Sequence, residues 1–150
     1  GQQVVRSAPE ELKRGAIHAQ SLFLNDYEYE LLKKHTGLTQ EDLLDSLDFM
    51  VVTLGDKGAV IFADGDKFEV PIVSTENIID PTGVGDAFRG GFLSGFSHGL
   101  DWQTCGQMGS LAATYCLEQR GTQVHDYTIN EYINRYAENF GDASALSVLK

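Results

Sequence analysis

The stretch DPTGVGDAFRGGFL, residues 80–93, combines a glycine-rich turn with the beginning of a helix. Gly83 and Gly85 permit a tight turn and let backbone N–H groups approach a ligand closely. Apolar residues then recur at helical spacing, which predicts a helix from Asp86 to about His98. Because a helix N-terminus carries a partial positive charge, we expect this turn to bind an anion such as a phosphate group.

An acid such as Asp86 is unexpected at a site that only binds phosphate, because a carboxylate repels an anion. Its position is explained if Asp86 is a base that takes the proton from a hydroxyl group as that hydroxyl attacks phosphorus. The alternative is structural, with an ordinary glycine turn and Asp86 as a helix cap. The stretch is neither a P-loop, which needs GxxxxGK[ST], nor the GxGxxG of dinucleotide-binding folds.

Strand and helix patterns alternate along the rest of the chain. Strands are predicted at 21–25, at 49–55 and on both sides of the hairpin pair Asp64-Gly65 within 59–73. Helices are predicted at 8–20 with Ser7 as the N-cap, at 26–35, from Thr39, at 101–119 up to Gly121, and at 128–140. This order indicates an α/β architecture with one open sheet edge. The tail, 141–150, is expected to be weakly structured.

The composition is that of a folded, acidic protein. The 150 residues include 22 Asp and Glu against 11 Lys and Arg, which gives a net charge of −11. This balance argues against binding to a nucleic-acid backbone, which requires clustered basic residues. It remains compatible with a nucleotide held by backbone N–H groups and Mg²⁺.

Compartment signals are few. No apolar run reaches the roughly 20 residues that a membrane helix needs, so no membrane partner is expected. No signal peptide is visible at Gly1-Gln2-Gln3. Cys105 and Cys116 lie about 16 Å apart along one predicted helix, too far for a disulfide. We expect both to be small buried side chains in a reducing cytoplasm.

The stretch 80–93 resembles the C-terminal signature of the ribokinase-like, or PfkB, carbohydrate kinases. The resemblance includes the leading Asp80, the GxGD core and the Gly90-Gly91 pair. It implies an α/β fold with a ribokinase-like three-layer α/β/α core. Residues 1–150 would be its C-terminal, ATP-binding and catalytic part, without the N-terminal half that carries the lid.

The resemblance also implies roles for the residues of the loop. Asp86 would be the catalytic base, and the N–H groups of Gly83, Val84 and Gly85 would hold the charge of the transferred phosphoryl group. With Thr82, these residues would bind ATP, and we expect ATP at 82–86 to face residues 53–58.

Two motifs nearer the N-terminus also resemble motifs of the family, and they occur in the order expected for it. Asn25-Asp26-Tyr27-Glu28 resembles its NxxE motif, in which the Glu positions Mg²⁺ through water. Without the resemblance, Glu28 would be a solvated helix acid. The stretch TLGDKG, residues 53–58, resembles the TLGxxG segment that lines the nucleotide, with Thr53, Gly55 and Gly58 matching. By itself it would be a turn at the end of a strand.

Two further positions are assigned by their place in the family pattern. Ser110 falls where the family usually has Asn or His near the adenine, so a nucleotide contact there departs from the pattern. Asp80 and residues 120–123 fall where many members hold a monovalent cation such as K⁺. A loop-capping role for Asp80 is equally open.

The resemblance also indicates which molecule accepts the phosphoryl group. Pro81, Arg89, GSLAATYCLE at 109–118 and GTQ at 121–123 look like bacterial adenosine kinases, whereas sugar kinases usually have another residue in place of Arg89. A MgATP-dependent kinase for the hydroxymethyl group of a nucleoside, adenosine above others, is therefore expected. At full length it would be compatible with a homodimer, and the half alone would be inactive.

Other function classes remain as alternatives. One is a free-sugar kinase of the ribokinase or fructokinase kind, and another is a non-catalytic nucleotide-binding module that has kept the loop. A nicotinamide oxidoreductase is disfavoured, because no glycine fingerprint follows an early strand with an acid about 20 residues on.

Overall fold

The computed structural model describes residues 7–124 and 126–150. Residues 1–6, where we expect no signal peptide, lie outside the described residues. The chain divides after Glu69 into two compact units, which we describe one at a time. The assignment of 1–150 to one C-terminal kinase part stays a prediction.

The first unit is built on a four-stranded mixed sheet in the order β1-β2-β3-β4. Its strands are β1 Ser21–Asn25, β2 Phe49–Thr53, β3 Ala59–Ala63 and β4 Asp66–Val70. Its helices are α1 Pro9–Ile17, α2 Asp26–Thr36 and α3 Gln40–Leu44, with a 3-10 turn at Gly55–Lys57. Strands β1 and β2 are parallel, and β2 and β3 are antiparallel.

The burial patterns of β2 and β3 agree with their places in the sheet. The first four residues of β2 are all buried, as expected for a central strand, while β3 alternates between buried and half-buried residues. Asp64 and Gly65 both adopt left-handed φ, at 56° and 81°, which is the geometry of a two-residue hairpin turn. The core of the unit joins Leu32 and Leu43 of the helices to Met50 of β2.

The second unit is helical. It contains α4 Val84–Ser97, α5 Trp102–Leu117 and α6 Ile129–Phe140, followed by a 3-10 helix at Ser144–Leu149. Helices α4 and α5 approach closely at glycines, as the many small residues of α5 predict. A methyl group added to Gly91 would lie 2.6 Å from the Met108 carbonyl oxygen, and one added to Gly109 would lie 2.8 Å from the Phe88 carbonyl oxygen.

Several predicted boundaries are wrong for local reasons. Ser7 is not the N-cap of α1. Pro9 forces the preceding residue into an extended conformation, so Ala8 takes that position without a side-chain cap. The same helix ends at Ile17 rather than at residue 20, and the strand β1 begins soon after it. Helix α4 begins at Val84, because Gly83 supplies a left-handed N-cap at φ 85°.

The end of α5 and the tail also differ from the predictions. Helix α5 ends at Leu117 and not at Gly121, and the Leu117 carbonyl oxygen accepts the N–H groups of Ile79 and Asp80 at 3.0 and 3.2 Å. The tail is ordered rather than weakly structured, because Leu146 is fully buried in the core of this unit.

Other predictions are confirmed. Cys105 and Cys116 are free and buried. Helix α2 ends at Gly37 in the left-handed conformation, and α3 begins at the capping box of Thr39 and Asp42. None of the helices within 7–124 and 126–150 combines the length and apolar character that a bilayer crossing requires.

Candidate active site

The N-terminus of α4 presents a row of backbone N–H groups. The first i to i−4 hydrogen bond of the helix runs from Ala87 N–H to Gly83 O at 2.9 Å. The N–H groups of Gly83, Gly85 and Asp86 precede it, and such groups have no acceptor within a helix. Val84 N–H reaches Pro81 O only at 3.4 Å. The geometry therefore provides donors, together with the helix dipole, for a bound anion.

The loop before α4 is held by the turn that follows α5. The Asp80 carboxylate accepts Thr82 N–H at 2.9 Å and Gly121 N–H at 3.1 Å, one on each oxygen. Hydrogen bonds from the hydroxyl and N–H of Thr82 are the main cause that lowers the pKa of the Asp80 carboxyl. An added Cβ on Gly83 would lie 2.9 Å from Thr122 Cβ, so only glycine fits there. Asp80 thus joins segments 80–82 and 120–122.

Cys116 lies beneath the same loop. Its Sγ–H donates to Thr82 O at 3.6 Å and lies 4.0 Å from Thr122 O. Burial, followed by the charges of Asp80 and Asp86, raises the pKa of this thiol. Cys116 therefore stays a neutral packing residue, as predicted.

Asp86 projects from the first turn of α4 with its side chain 83% exposed. Its Oδ1 accepts a hydrogen bond from Arg89 Nη1 at 3.1 Å. Among the described residues, its carboxylate caps no helix N–H group, in contrast to Asp42 and Glu131, which do so in α3 and α6. The capping interpretation of Asp86 therefore lacks the hydrogen bond that it requires.

In the first unit, Asn25 and Thr53 are paired at the carboxyl ends of the parallel strands β1 and β2. Polar groups at such ends commonly bind ligands in open α/β sheets. Asn25 and Glu28 form a reciprocal capping box. Asn25 Oδ1 accepts Glu28 N–H at 2.7 Å, and Glu28 Oε2 accepts Asn25 N–H at 3.0 Å. Glu28 is therefore more than the solvated helix acid of the alternative interpretation.

The segment after Thr53 turns on two glycines. Gly55 has φ 62° and Gly58 has φ 89°, a region that side chains rarely adopt. Leu54 N–H donates to Gly58 O at 2.8 Å and closes the turn. Thr53, Gly55 and Gly58 are thus brought into one short turn next to Asn25, within the same unit.

Ser110 is buried in the second unit, with 6% of its surface exposed. Its hydroxyl donates to Pro71 O at 2.8 Å and accepts Val73 N–H at 3.2 Å. Thr114, one turn later, donates to Val73 O at 3.0 Å. These bonds give Ser110 a structural role that the sequence did not indicate, and its contact with a nucleotide stays a prediction.

A comparison with known protein families decides the assignment. The model of the pfkB family carbohydrate kinases matches residues 2–128. The chain belongs to this pfkB family. The predicted membership is confirmed, and with it the ribokinase-like α/β fold.

Several of the relatives are nucleoside kinases. The nucleoside kinase of Methanocaldococcus jannaschii is 34% identical over 135 residues, which is 90% of this chain and 45% of the relative. The solved structure of a nucleoside kinase from Burkholderia thailandensis in complex with inosine has a TM-score of 0.91 at 34% identity, over 95% of this chain and 48% of that chain. A second structure of that protein, with ADP-inosine, has the same TM-score and identity, over 95% and 44% of the two chains. The chain spans about half the length of these relatives.

The resemblance to the pfkB family implies Mg²⁺ and K⁺, and the carboxylates of the described residues can be compared with the ligands that these ions require. Within the part of the chain that the structure describes, no three His, Cys, Asp or Glu side chains come together as a metal-binding group. Mg²⁺ commonly keeps several waters and takes one or two carboxylates with substrate phosphates. A single carboxylate such as Glu28 fits that mode. For K⁺, the Asp80 carboxylate is placed beside residues 120–122, although both of its oxygens already accept N–H groups.

The structure contains two ion pairs that the sequence analysis did not predict. One joins Arg89 to Asp86, and their i, i+3 spacing on a predicted helix was the available signal. The other joins Arg135 of α6 to Glu118 by two hydrogen bonds, at 2.7 and 2.5 Å. The second pair bridges 17 residues between two helices, and nothing local in the sequence indicates it.

Proposed function

We propose that the complete protein carrying this chain is a MgATP-dependent kinase that phosphorylates the hydroxymethyl group of a nucleoside. The observation that carries the proposal is Asp86, an exposed carboxylate that caps no described N–H group and stands beside the donors of the α4 N-terminus. A module that only binds nucleotide would gain nothing from an acid at this place, because the acid repels phosphate.

The chemistry follows from these positions. Asp86 accepts the proton of the acceptor hydroxyl as its oxygen forms a bond to the γ-phosphorus of ATP. The bond from the γ-phosphorus to the bridging oxygen breaks, so ADP leaves with that oxygen and the phosphorylated nucleoside forms. The N–H groups of Gly83, Val84, Gly85 and Asp86 stabilise charge on the transferred group.

Other residues would bind and orient. Residues 53–58, Asn25 and Thr82 would contact the nucleotide, and Ser110 would lie near its adenine. Mg²⁺, when bound, would offset charge on the phosphate oxygens, and Glu28 would hold it through water. Asp80 would keep the loop in place and is the candidate carboxylate for a K⁺ ion.

Adenosine is the acceptor that we favour. The segments 109–118 and 121–123, with Pro81 and Arg89, resemble adenosine kinases. The structure of a related nucleoside kinase contains inosine, which shares the ribose hydroxymethyl group with adenosine. Initial rates with adenosine, inosine, ribose and fructose at equal concentrations test this choice, and faster turnover of a free sugar would exclude it.

The experiment that tests the mechanism is Asp86→Asn in the complete protein. The carboxamide keeps the shape but cannot accept the hydroxyl proton, so kcat should fall by about 10²–10⁴-fold. ATP affinity, measured by calorimetry, should be equal or higher, because a charge beside the phosphates is removed.

Asp101→Asn is the matched control. Asp101 caps α5 through Thr104 N–H at 2.9 Å and is an acid at a helix N-terminus with a structural role alone. Its variant should keep its kcat and most of its stability, because Asn caps a helix about as well as Asp. A kcat within threefold of the wild type in Asp86→Asn would reject the base assignment.

A further inference from the structure

We propose that Arg89 is a positioning residue that holds the Asp86 carboxylate in the orientation required for proton transfer. This inference rests on the proposed function, since it gives Arg89 a task only if Asp86 is the base. The proposal concerns the second turn of α4, outside the GxGD core that the loop chemistry uses.

The geometry of α4 places the two side chains side by side. Arg89 follows Asp86 by three residues, so both project from the same face of the helix. Arg89 Nη1 donates to Asp86 Oδ1 at 3.1 Å. No described residue donates to the other oxygen, Oδ2, which is therefore available to the acceptor hydroxyl.

Asp86 needs such a partner because packing does not fix it. With 83% of its side chain exposed, it has several rotamers open to it, and only some of them direct Oδ2 toward a bound acceptor. The capping acids of this chain, such as Glu28 and Asp42, are fixed by backbone N–H groups instead. A guanidinium with planar, directed donors can fix one oxygen and leave the second one accessible.

Charge gives a second reason for this partner. The carboxylate stands at the helix end where phosphate oxygens are expected, and a nearby cation offsets part of their repulsion. Stability is a weak explanation for the pair, because exposed ion pairs contribute little to folding. Arg89 is 46% exposed, which places this pair among them.

The experiment removes the cation in the complete protein. Arg89→Met should lower kcat about tenfold, because small misplacements of a reacting group are costly, and should change the KM for ATP less than twofold. Arg89→Lys keeps a charged donor, so its kcat should be at least threefold higher than that of Arg89→Met. A Lys variant as slow as the Met variant would overturn the role of a charged donor.

A double-mutant cycle separates positioning from direct contact. If Arg89 acts through Asp86, then Arg89→Met should lower kcat less than twofold in the Asp86→Asn background. An equal, tenfold loss in both backgrounds would show that Arg89 touches the substrates itself and would overturn the proposal. Unchanged kcat in Arg89→Met alone would also overturn it.

A matched control and the base variant complete the design. Lys33→Met removes another i, i+3 pair, Lys33 to Glu30 at 2.7 Å on α2, and should leave kcat unchanged. If Asp86→Asn is slow but Arg89→Met is not, the proposed function stands and only the role of Arg89 fails. If Asp86→Asn retains full kcat, the proposed mechanism fails first, and positioning by Arg89 fails with it.

Discussion

Glu28 and Glu131 hold the same place in two helices, the third residue of a capping box. Glu28 accepts Asn25 N–H at 3.0 Å and Glu131 accepts Thr128 N–H at 2.7 Å. Only Glu28 is assigned to Mg²⁺. Because Gln also completes a capping box, both Glu→Gln variants should fold.

The two variants should therefore differ in metal dependence. In the complete protein, Glu28→Gln should raise the Mg²⁺ concentration for half-maximal activity about tenfold, since a charge in the outer shell of the metal is lost. Glu131→Gln should leave this concentration unchanged. Titration of initial rates with MgCl₂ checks both, and a change confined to the KM of the acceptor would reject the metal assignment.

Gly83 and Gly85 look equivalent in the sequence and differ in the structure. Gly83 has φ 85° and would place a Cβ 2.9 Å from Thr122 Cβ, whereas an added Cβ on Gly85 meets nothing within 4 Å. Gly83→Ala should lower the free energy of unfolding by about 1–3 kcal/mol. Gly85→Ala should change it by less than about 1 kcal/mol. Urea unfolding compares them, and equal losses would contradict the left-handed geometry of Gly83.

At the scale of elements, the pair of Glu118 and Arg135 joins the end of α5 to α6. Both side chains are largely buried, and Arg135 also lies over the Tyr115 ring, at 4.6 Å from its centroid. The Arg135 guanidinium is the first cause that holds the pKa of the Glu118 carboxyl below its ordinary value of 4.5. A lowered pKa in the folded state means that the pair stabilises the protein above pH 4.5 and loses this effect as the pH falls further.

Glu118→Gln removes this dependence. At pH 7 the variant should be less stable than the wild type by about 1–3 kcal/mol, and the difference should shrink as the pH falls below about 4.5. Glu69→Gln is the control, because the pair of Glu69 with Lys67 is exposed and should matter little. Urea unfolding at several pH values measures both, and a difference independent of pH would contradict the assignment.

Local patterns predicted the elements better than their ends. The strands β1 and β2 and the turn at Asp64-Gly65 follow from apolar runs and turn residues within a few positions. The start of α4 at Val84 was missed, because a left-handed N-cap at Gly83 cannot be distinguished from an ordinary glycine turn in the sequence. The burial of Leu146 was missed as well, since it depends on packing against distant helices.

The candidate site shows the same limit. Asp86 was predicted as a site residue because a carboxylate at an anion-binding turn is chemically unusual and because the surrounding stretch resembles a family signature, and its role stays a prediction. The hydrogen bonds of Ser110 to Pro71 and Val73 connect residues almost 40 positions apart, and no spacing rule indicates them. The capping box of Asn25 and Glu28 could have been found, since the N-x-x-E spacing is its signal.

At the scale of the whole chain, the net charge of −11 is unfavourable for the phosphate-carrying substrate that we propose. The negative field of this chain does not attract ATP, so the binding that we propose depends on local donors. The N–H groups at the α4 N-terminus are such donors in the second unit. The chain spans about half the length of its relatives, and the roles proposed for its residues are therefore to be tested in the complete protein.

The close approach of α4 and α5 at Gly91 and Gly109 has a thermodynamic consequence for ligand binding. With backbone against backbone, α4 cannot rotate or tilt without driving its main chain into that of α5 at Met108 and Gly109. The dipoles of its first turn are thus oriented by folding, before any ligand arrives. An anion that binds there meets N–H groups that are already oriented. The reorganisation energy that water would require is therefore largely absent from the barrier to the phosphoryl transfer that we propose.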